Sequence, residues 1–314
     1  MRCFESLEKC IGADKTEVYV ALDYPPTDKY RSGWLSINEY LNFKEKQNRF
    51  NKLHVIRRDF NYGICRKHGN LESLLSEVIL KNYDSFILTE DDNYFSLNFL
   101  IYINQGLKKF ENDNNCFAIC GYNYYGLSLN NSNNIYLSRE FSAWGVGCWT
   151  KKWSAYSEHI SVDYAKYIFS SWKNVWTIFK HEPRLLNTVM LNIASNRAFG
   201  DTMIVCTQYL ENMYSVFPLV SKVRNLGFDG SGTSIFQIDH IHENQVIDSK
   251  DSFVMDDIER EVNEKTQREV ERYFRRSKPM TFLIFVRVLI YYLFKIDILY
   301  FEQKRRNKSL FVSI

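Results

Sequence analysis

Three adjacent carboxylates, Glu90-Asp91-Asp92, close a short apolar run, Ser85-Phe86-Ile87-Leu88-Thr89. A buried strand that delivers acids at its carboxyl end is how open α/β sheets place ligand and metal sites. Adjacent carboxylates repel one another, and a bound cation offsets that repulsion. The same triplet can also serve as a solvated turn leading into a helix cap. Other polar residues stand at comparable places: Asp23 closes the run Glu-Val-Tyr-Val-Ala-Leu, and Arg57, Arg58 and Asn61 follow the run 53–56. The two arginines suit either a nucleotide phosphate or surface ion pairs. Asp201 opens an apolar helical pattern, where an acid can be a general base or an N-cap. His240 and His242 alternate as in a strand; they suit a metal ligand pair or simple polar strand positions.

The elements that must carry these residues alternate. Residues 17–22 and 53–56 read as strands, 71–80 as a helix, 85–89 as the acidic strand, 99–110 as a helix and 116–120 as a further strand. Strands separated by helical stretches imply a mostly parallel sheet. Residues 122–134, rich in Asn, Gly, Ser and Tyr, read as a loop. Helical spacing covers 151–195 and 201–212, Pro218 opens a short strand into 221–225, and 251–277 reads as a charged helix. A catalytic domain over 1–245 and a helical extension over 246–314 follow.

Composition narrows the classes. With 314 residues, 45% hydrophobic and 25% charged, the chain is an ordinary globular protein. A net charge of +3 is too small to make nucleic acid the main partner. The seven cysteines include no C-x-x-C pair, which points to reduced thiols and a cytoplasmic location. The start, Met-Arg-Cys-Phe-Glu-Ser-Leu-Glu, reads as an amphipathic helix and not as a signal peptide.

Four segments in order resemble the nucleotide-sugar glycosyltransferases of the GT-A fold, of the bacterial surface-polysaccharide type similar to family 2 and to the N-acetylglucosaminyltransferase I group. They are Asn61-Tyr62-Gly63, Leu88-Thr89-Glu90-Asp91-Asp92, Ser142-Ala143-Trp144-Gly145-Val146-Gly147-Cys148-Trp149, and Val223-Arg224-Asn225-Leu226-Gly227-Phe228-Asp229-Gly230-Ser231-Gly232-Thr233. The resemblance spans residues 4–235 and implies a GT-A-like, Rossmann-like, mixed and mostly parallel sheet flanked by helices. It implies a nucleotide-sugar donor, a UDP-sugar foremost, and a glycan or lipid-linked saccharide acceptor. It further implies Mn²⁺ or Mg²⁺ held by Asp92, with Glu90 and Asp91 near the ribose or the sugar. Asp201 becomes the general base of an inverting transfer, and Asp23, Arg57 and Asn61 contact the nucleotide. The stretch 144–149 reads as a loop in which Trp144 and Gly145 wall the pocket, and the loop with Asn225 and Gly230 folds over diphosphate or acceptor. The chemistry agrees: a departing nucleoside diphosphate builds negative charge that a divalent cation neutralises.

The sequence departs from that family at its start. The family opens with a strand and an Asn-Arg-Pro-like turn that hold the base, whereas Arg2-Cys3-Phe4-Glu5-Ser6-Leu7 matches the helix after them. Either the start lies upstream, or the sheet lacks a central strand and carries an open seam. Two other classes stay open: a catalytically impaired nucleotide- or carbohydrate-binding relic, and a metal-dependent phosphoryl-transfer or hydrolytic enzyme.

The run 280–301 is apolar but holds Arg287, Lys295 and Asp297, with Arg272, Arg275, Arg276 and Lys278 before it and Lys304, Arg305, Arg306 and Lys308 after. Three charges disfavour a transmembrane helix. The pattern fits a helix lying on the inner, anionic face of a membrane, and equally a helix packed on the catalytic domain.

Overall fold

The computed structural model describes residues 1–63, 69–228, 242 and 244–297. Helix α1 (Arg2–Glu8) precedes strand β1 (Glu17–Leu22), helix α2 (Arg31–Glu45) and strand β2 (Lys52–Arg57). Parallel neighbours need a crossover, and α2 supplies it: β1 pairs β2 in parallel from Glu17 opposite Lys52 to Leu22 opposite Arg57. Residues 70–82 form one helical stretch, α3, with a π-helical turn at Leu75–Ile79. Next come β3 (Ser85–Leu88), β4 (Asn93–Phe95), α4 (Phe99–Lys109), β5 (Cys116–Cys120), β6 (Ile135–Ser138) and β7 (Val146–Trp149). Helices α5 (Thr150–Tyr156), α6 (Val162–Ile168), α7 (Trp172–His181), α8 (Pro183–Ser195) and α9 (Gly200–Leu210) lead to β8 (Tyr214–Pro218) and β9 (Val223–Asn225). Helices α10 (Glu264–Phe274) and α11 (Lys278–Phe294) close the described chain.

The architecture is mixed α/β. A five-stranded sheet runs in the order β3-β7-β5-β8-β6. Strands β3, β5 and β8 share one direction; β7 and β6 oppose them, so most strands point one way although a single ladder, β5 with β8, is parallel. Successive side chains leave opposite faces of a strand. Phe86, Tyr136 and Phe217 accordingly join one apolar cluster, and Ile87, Leu137 and Val216 the other. Strand β5, Cys-Phe-Ala-Ile-Cys, is buried throughout, because both of its faces are covered.

Three local expectations are corrected. Val146–Trp149 is a buried central strand and not part of a pocket loop. Pro218 ends a strand: β8 precedes it, and β9 is a separate element. Only Glu264–Phe274 of the stretch 251–277 is helical, starting where the Asn263 side chain caps the amides of Lys265 and Thr266. The residues before it form an irregular strap. Gln105 binds the main chain of Phe253 and Met255, and Asn134 that of Val254 and Asp256, so side chains from the sheet side replace helical hydrogen bonds.

The pair β1–β2 lies in the same layer as the larger sheet. Val18 and Leu53 pack on one cluster, and Tyr19, Ala21 and Ile56 on the other. Yet among the described residues no ladder joins β1 to β3.

Candidate functional site

The acidic triplet and the Val-x-Asn-x-Gly segment, about 130 residues apart in sequence, are joined by a two-stranded ribbon. β4 pairs β9 with Asn93 opposite Asn225. The Leu226 amide donates to the Asp92 carbonyl at 2.7 Å, and the Gly227 amide to Asn225 Oδ1 at 2.7 Å. A Cβ on Gly227 would stand 2.3 Å from Asp92 Oδ2, so a side chain there would have to push the Asp92 carboxylate aside. Asp92 Oδ1 is buried with no hydrogen-bond partner. Burial raises the Asp92 pKa, the neighbouring Asp91 adds to it, and the Asn225 amide opposes it.

A desolvated carboxylate with an idle oxygen fits a hard cation. Among the described residues no three His, Cys, Asp or Glu side chains gather as a complete ligand set. Mg²⁺-type sites often use one or two carboxylates and take their remaining oxygens from substrate phosphate and water. Asp92 matches that donor chemistry. Glu90 and Asp91 are exposed beside it.

Gly145 adopts φ +65° and accepts the Gly121 amide at 2.8 Å. A Cβ there would lie 2.8 Å from Val223 Cγ2, which seats the Trp144-Gly145 turn against β9. Trp144 meets Tyr122 and Phe228 edge-on, with centroids 4.6 and 5.9 Å apart, and Phe228 stacks on His242 at 4.2 Å. These rings form an aromatic wall next to Asn225 and Gly227. Tyr122 escaped the sequence reading; the cluster Tyr122-Asn123-Tyr124-Tyr125 was its only signal. Trp149 and Trp153 are core residues: Trp149 Nε1 donates to the Leu107 carbonyl at 3.2 Å, and Trp153 packs on Phe86. Gly230 and His240 lie outside the described residues.

Asp201 lies exposed in the first turn of α9, whose N-cap is Phe199 and not Asp201. Its charge reaches Cys120, whose thiol burial, above all, pushes up to about 12, with Asp201 adding to the rise. Cys120 ends β5 as the triplet follows β3, and these strands run the same way. Asp201 and Asp92 therefore belong to the same end of the sheet.

The residues expected to contact the nucleotide have partners within the protein. Asp23 accepts from the amides of Tyr24, Tyr62 and Gly63 at 2.8–2.9 Å and from Asn61 Nδ2 at 3.2 Å, so its carboxylate is saturated. Arg57 binds Asn38, Asn42 and Glu45, tying β2 to α2. The spacing of those three partners, one face of a helix, was visible in the sequence. Arg58 is buried between Glu77, Asn70 and the Tyr62 ring.

Helix α11 packs Ile284, Val288 and Tyr291 into the core and leaves Met280, Phe282, Leu283, Leu293 and Phe294 exposed. Arg287 is buried, paired with Asp297 at 2.7–2.8 Å and with Asn187 at 3.0 Å, and Lys295 Nζ reaches the Phe169 carbonyl. The three charges that interrupt the apolar run are thus met within the protein. No single described helix is long and apolar enough to cross a membrane.

No protein-family model matches this chain, and no curated protein is significantly similar to it.

Proposed function

We propose that the chain is a GT-A-like glycosyltransferase that moves a sugar from a nucleotide-sugar donor, a UDP-sugar foremost, to a hydroxyl of a glycan or lipid-linked acceptor. One observation carries this reading: the β4–β9 ribbon sets the buried, unpartnered Asp92 Oδ1 against Asn225–Gly227, beside the Trp144 wall. Asp92 would hold Mn²⁺ or Mg²⁺, which when bound neutralises the diphosphate leaving group. The Asn225–Gly227 turn shapes the space around that carboxylate. Trp144 and Phe228 offer ring faces to the C–H side of a sugar. Asp201 takes the proton of the attacking hydroxyl.

The exposed apolar row of α11, with Arg275, Arg276 and Lys278 exposed at its start, supports docking on an anionic membrane, as a lipid-linked acceptor requires. A peripheral position on the inner face of the cell membrane is the location that fits this reading.

A second reading, a binding protein without turnover, draws on the saturated Asp23 carboxylate, which has no lone pair left for a base or ribose. Calorimetry with UDP and Mn²⁺, together with sugar release from a panel of UDP-sugars, separates the two. Metal-dependent UDP binding with turnover, both lost in Asp92→Ala, supports transfer. Binding without turnover supports the second reading, and UDP binding indifferent to both metal and Asp92 rejects the metal site.

A further inference from the structure

A row of rings leaves the candidate site and ends in a groove. Phe228, edge-on to Trp144, stacks on His242 at 4.2 Å, and His242 stands 6.0 Å from the exposed Tyr125 ring. The Leu127 amide donates to the Tyr124 carbonyl at 3.1 Å and Gly126 takes φ +73°, which makes 124–127 a tight turn with Tyr125 at its tip. The Tyr273 hydroxyl of α10 donates to the Tyr125 carbonyl at 2.8 Å and holds that turn against the helix. Directly beyond it lies a cavity of about 690 Å³, with residues 126–130 on one side and Glu269, Arg272 and Tyr273 of α10 on the other. That volume falls within the roughly 300–1,000 Å³ of small-molecule sites.

The chemistry of the lining decides what fits. Tyr125 and Tyr273 are large rings left exposed, and such rings offer apolar faces to the C–H side of a sugar. Glu269 and Arg272 lie three positions apart on α10, yet their side chains pair neither with each other nor with any other of the described residues. The facing stretch 122–134 carries no charge, only Asn, Ser, Gly, Leu and Tyr. An idle carboxylate beside an idle guanidinium serves a ligand that both donates and accepts, as hydroxyl groups do. A phosphate or an acidic sugar would gain Arg272 but meet Glu269 as a like charge. We infer that this groove holds the part of the acceptor behind its reacting end: a neutral saccharide of several units, laid along His242, Tyr125 and Tyr273 and hydrogen-bonded by Glu269 and Arg272. This role rests on the sugar-transfer reading and deepens it, because the acceptor becomes a preformed oligosaccharide and not a single sugar.

A glycan array of neutral and acidic mono- to hexasaccharides, probed with the full chain in UDP and Mn²⁺, tests this, with each bound glycan remeasured by calorimetry. A neutral trisaccharide or longer chain should bind at least about tenfold tighter than its own terminal monosaccharide, since one hydrogen bond to a charged group is worth that much. Arg272→Ala and Glu269→Ala, each on a side chain without partners, should bring the long chain down to the affinity of the monosaccharide, and Tyr125→Ala should do so in part. Affinity independent of chain length, or no saccharide bound at all, would overturn the groove. Binding confined to acidic glycans, and lost with Arg272→Ala, would overturn the neutral class. The two readings fail separately. Metal-dependent UDP binding without any length dependence rejects the groove alone, whereas length dependence in a chain that binds neither UDP nor Mn²⁺ rejects sugar transfer and with it the acceptor role.

Discussion

The five-stranded sheet and the β1–β2 pair occupy one layer between the same two apolar clusters, yet they differ in how fully they are satisfied. Strand β5 is buried along its length, whereas β1, of similarly apolar sequence, is half-exposed: among the described residues one of its edges has no paired strand. The carboxylates at their ends differ in the opposite sense. Asp23, on the incomplete pair, has all its acceptor sites filled by the turn around it. Asp92, just beyond β3 of the larger sheet, is desolvated and keeps one oxygen idle. A carboxylate saturated by its own chain is a staple, and one held dry and under-bonded is poised for a ligand.

Substitution can break that contrast. Asp92→Asn should cost about 100-fold or more in Mn²⁺-dependent UDP affinity by calorimetry, since a carbonyl oxygen replaces an anionic ligand. Its melting temperature at neutral pH should hold or rise: a carboxyl whose pKa is raised on folding loses stability as it ionises, and Asn removes that loss. Asp23→Ala should instead cost about 3 kcal/mol in denaturant unfolding, the sum of several lost hydrogen bonds. An Asp92 variant that unfolds readily beside a stable Asp23 variant would reverse the assignment.

The larger sheet carries its own buried acids, and these sharpen the comparison through pH. Glu140 is held well above the ordinary carboxylate range, first by burial and then by Glu182, while Arg184 opposes and Glu271 adds to the rise. Its contribution to stability is fully present below the ordinary carboxylate pKa and is lost as pH rises through the folded value. Glu140→Gln should therefore melt higher than the parent at pH 8, with the difference shrinking toward pH 4. The smallest effect on stability belongs to α11. Phe282→Glu, on an exposed side chain, should move unfolding by no more than about 0.5 kcal/mol, while reducing co-sedimentation with anionic vesicles. Unchanged sedimentation would remove the membrane reading.

What the sequence disclosed follows from where its information is local. The runs Glu-Val-Tyr-Val-Ala-Leu and Cys-Phe-Ala-Ile-Cys and the spacing of 99–110 each carry their own period, and each forms the expected element. β7 did not, because Gly-Val-Gly-Cys-Trp reads as a loop. Gly147 is demanded by Ile103, whose Cγ2 would lie 2.5 Å from an added Cβ, a contact invisible in one dimension. The strap before α10 failed for the same reason: its charged residues suggest a helix, but Gln105 and Asn134 take its main-chain groups from more than a hundred positions away. At the candidate site, the triplet, Trp144-Gly145 and Asn225 were legible as motifs. The roles of Asp23 and Arg57 were not, since residue type alone cannot tell an occupied side chain from a waiting one.

The packing of α11 bears on how the molecule is made. Ile284, Val288 and Tyr291 belong to the same cluster as Phe169 and Met190, and Tyr291 meets Phe169 edge-on, so that side of the core stays uncovered until α11 has been made. Folding therefore cannot finish before α11 is available. A version cut at residue 245 would be released with that side of the cluster bare, and aggregation, not a minimal catalytic unit, is what its expression should yield.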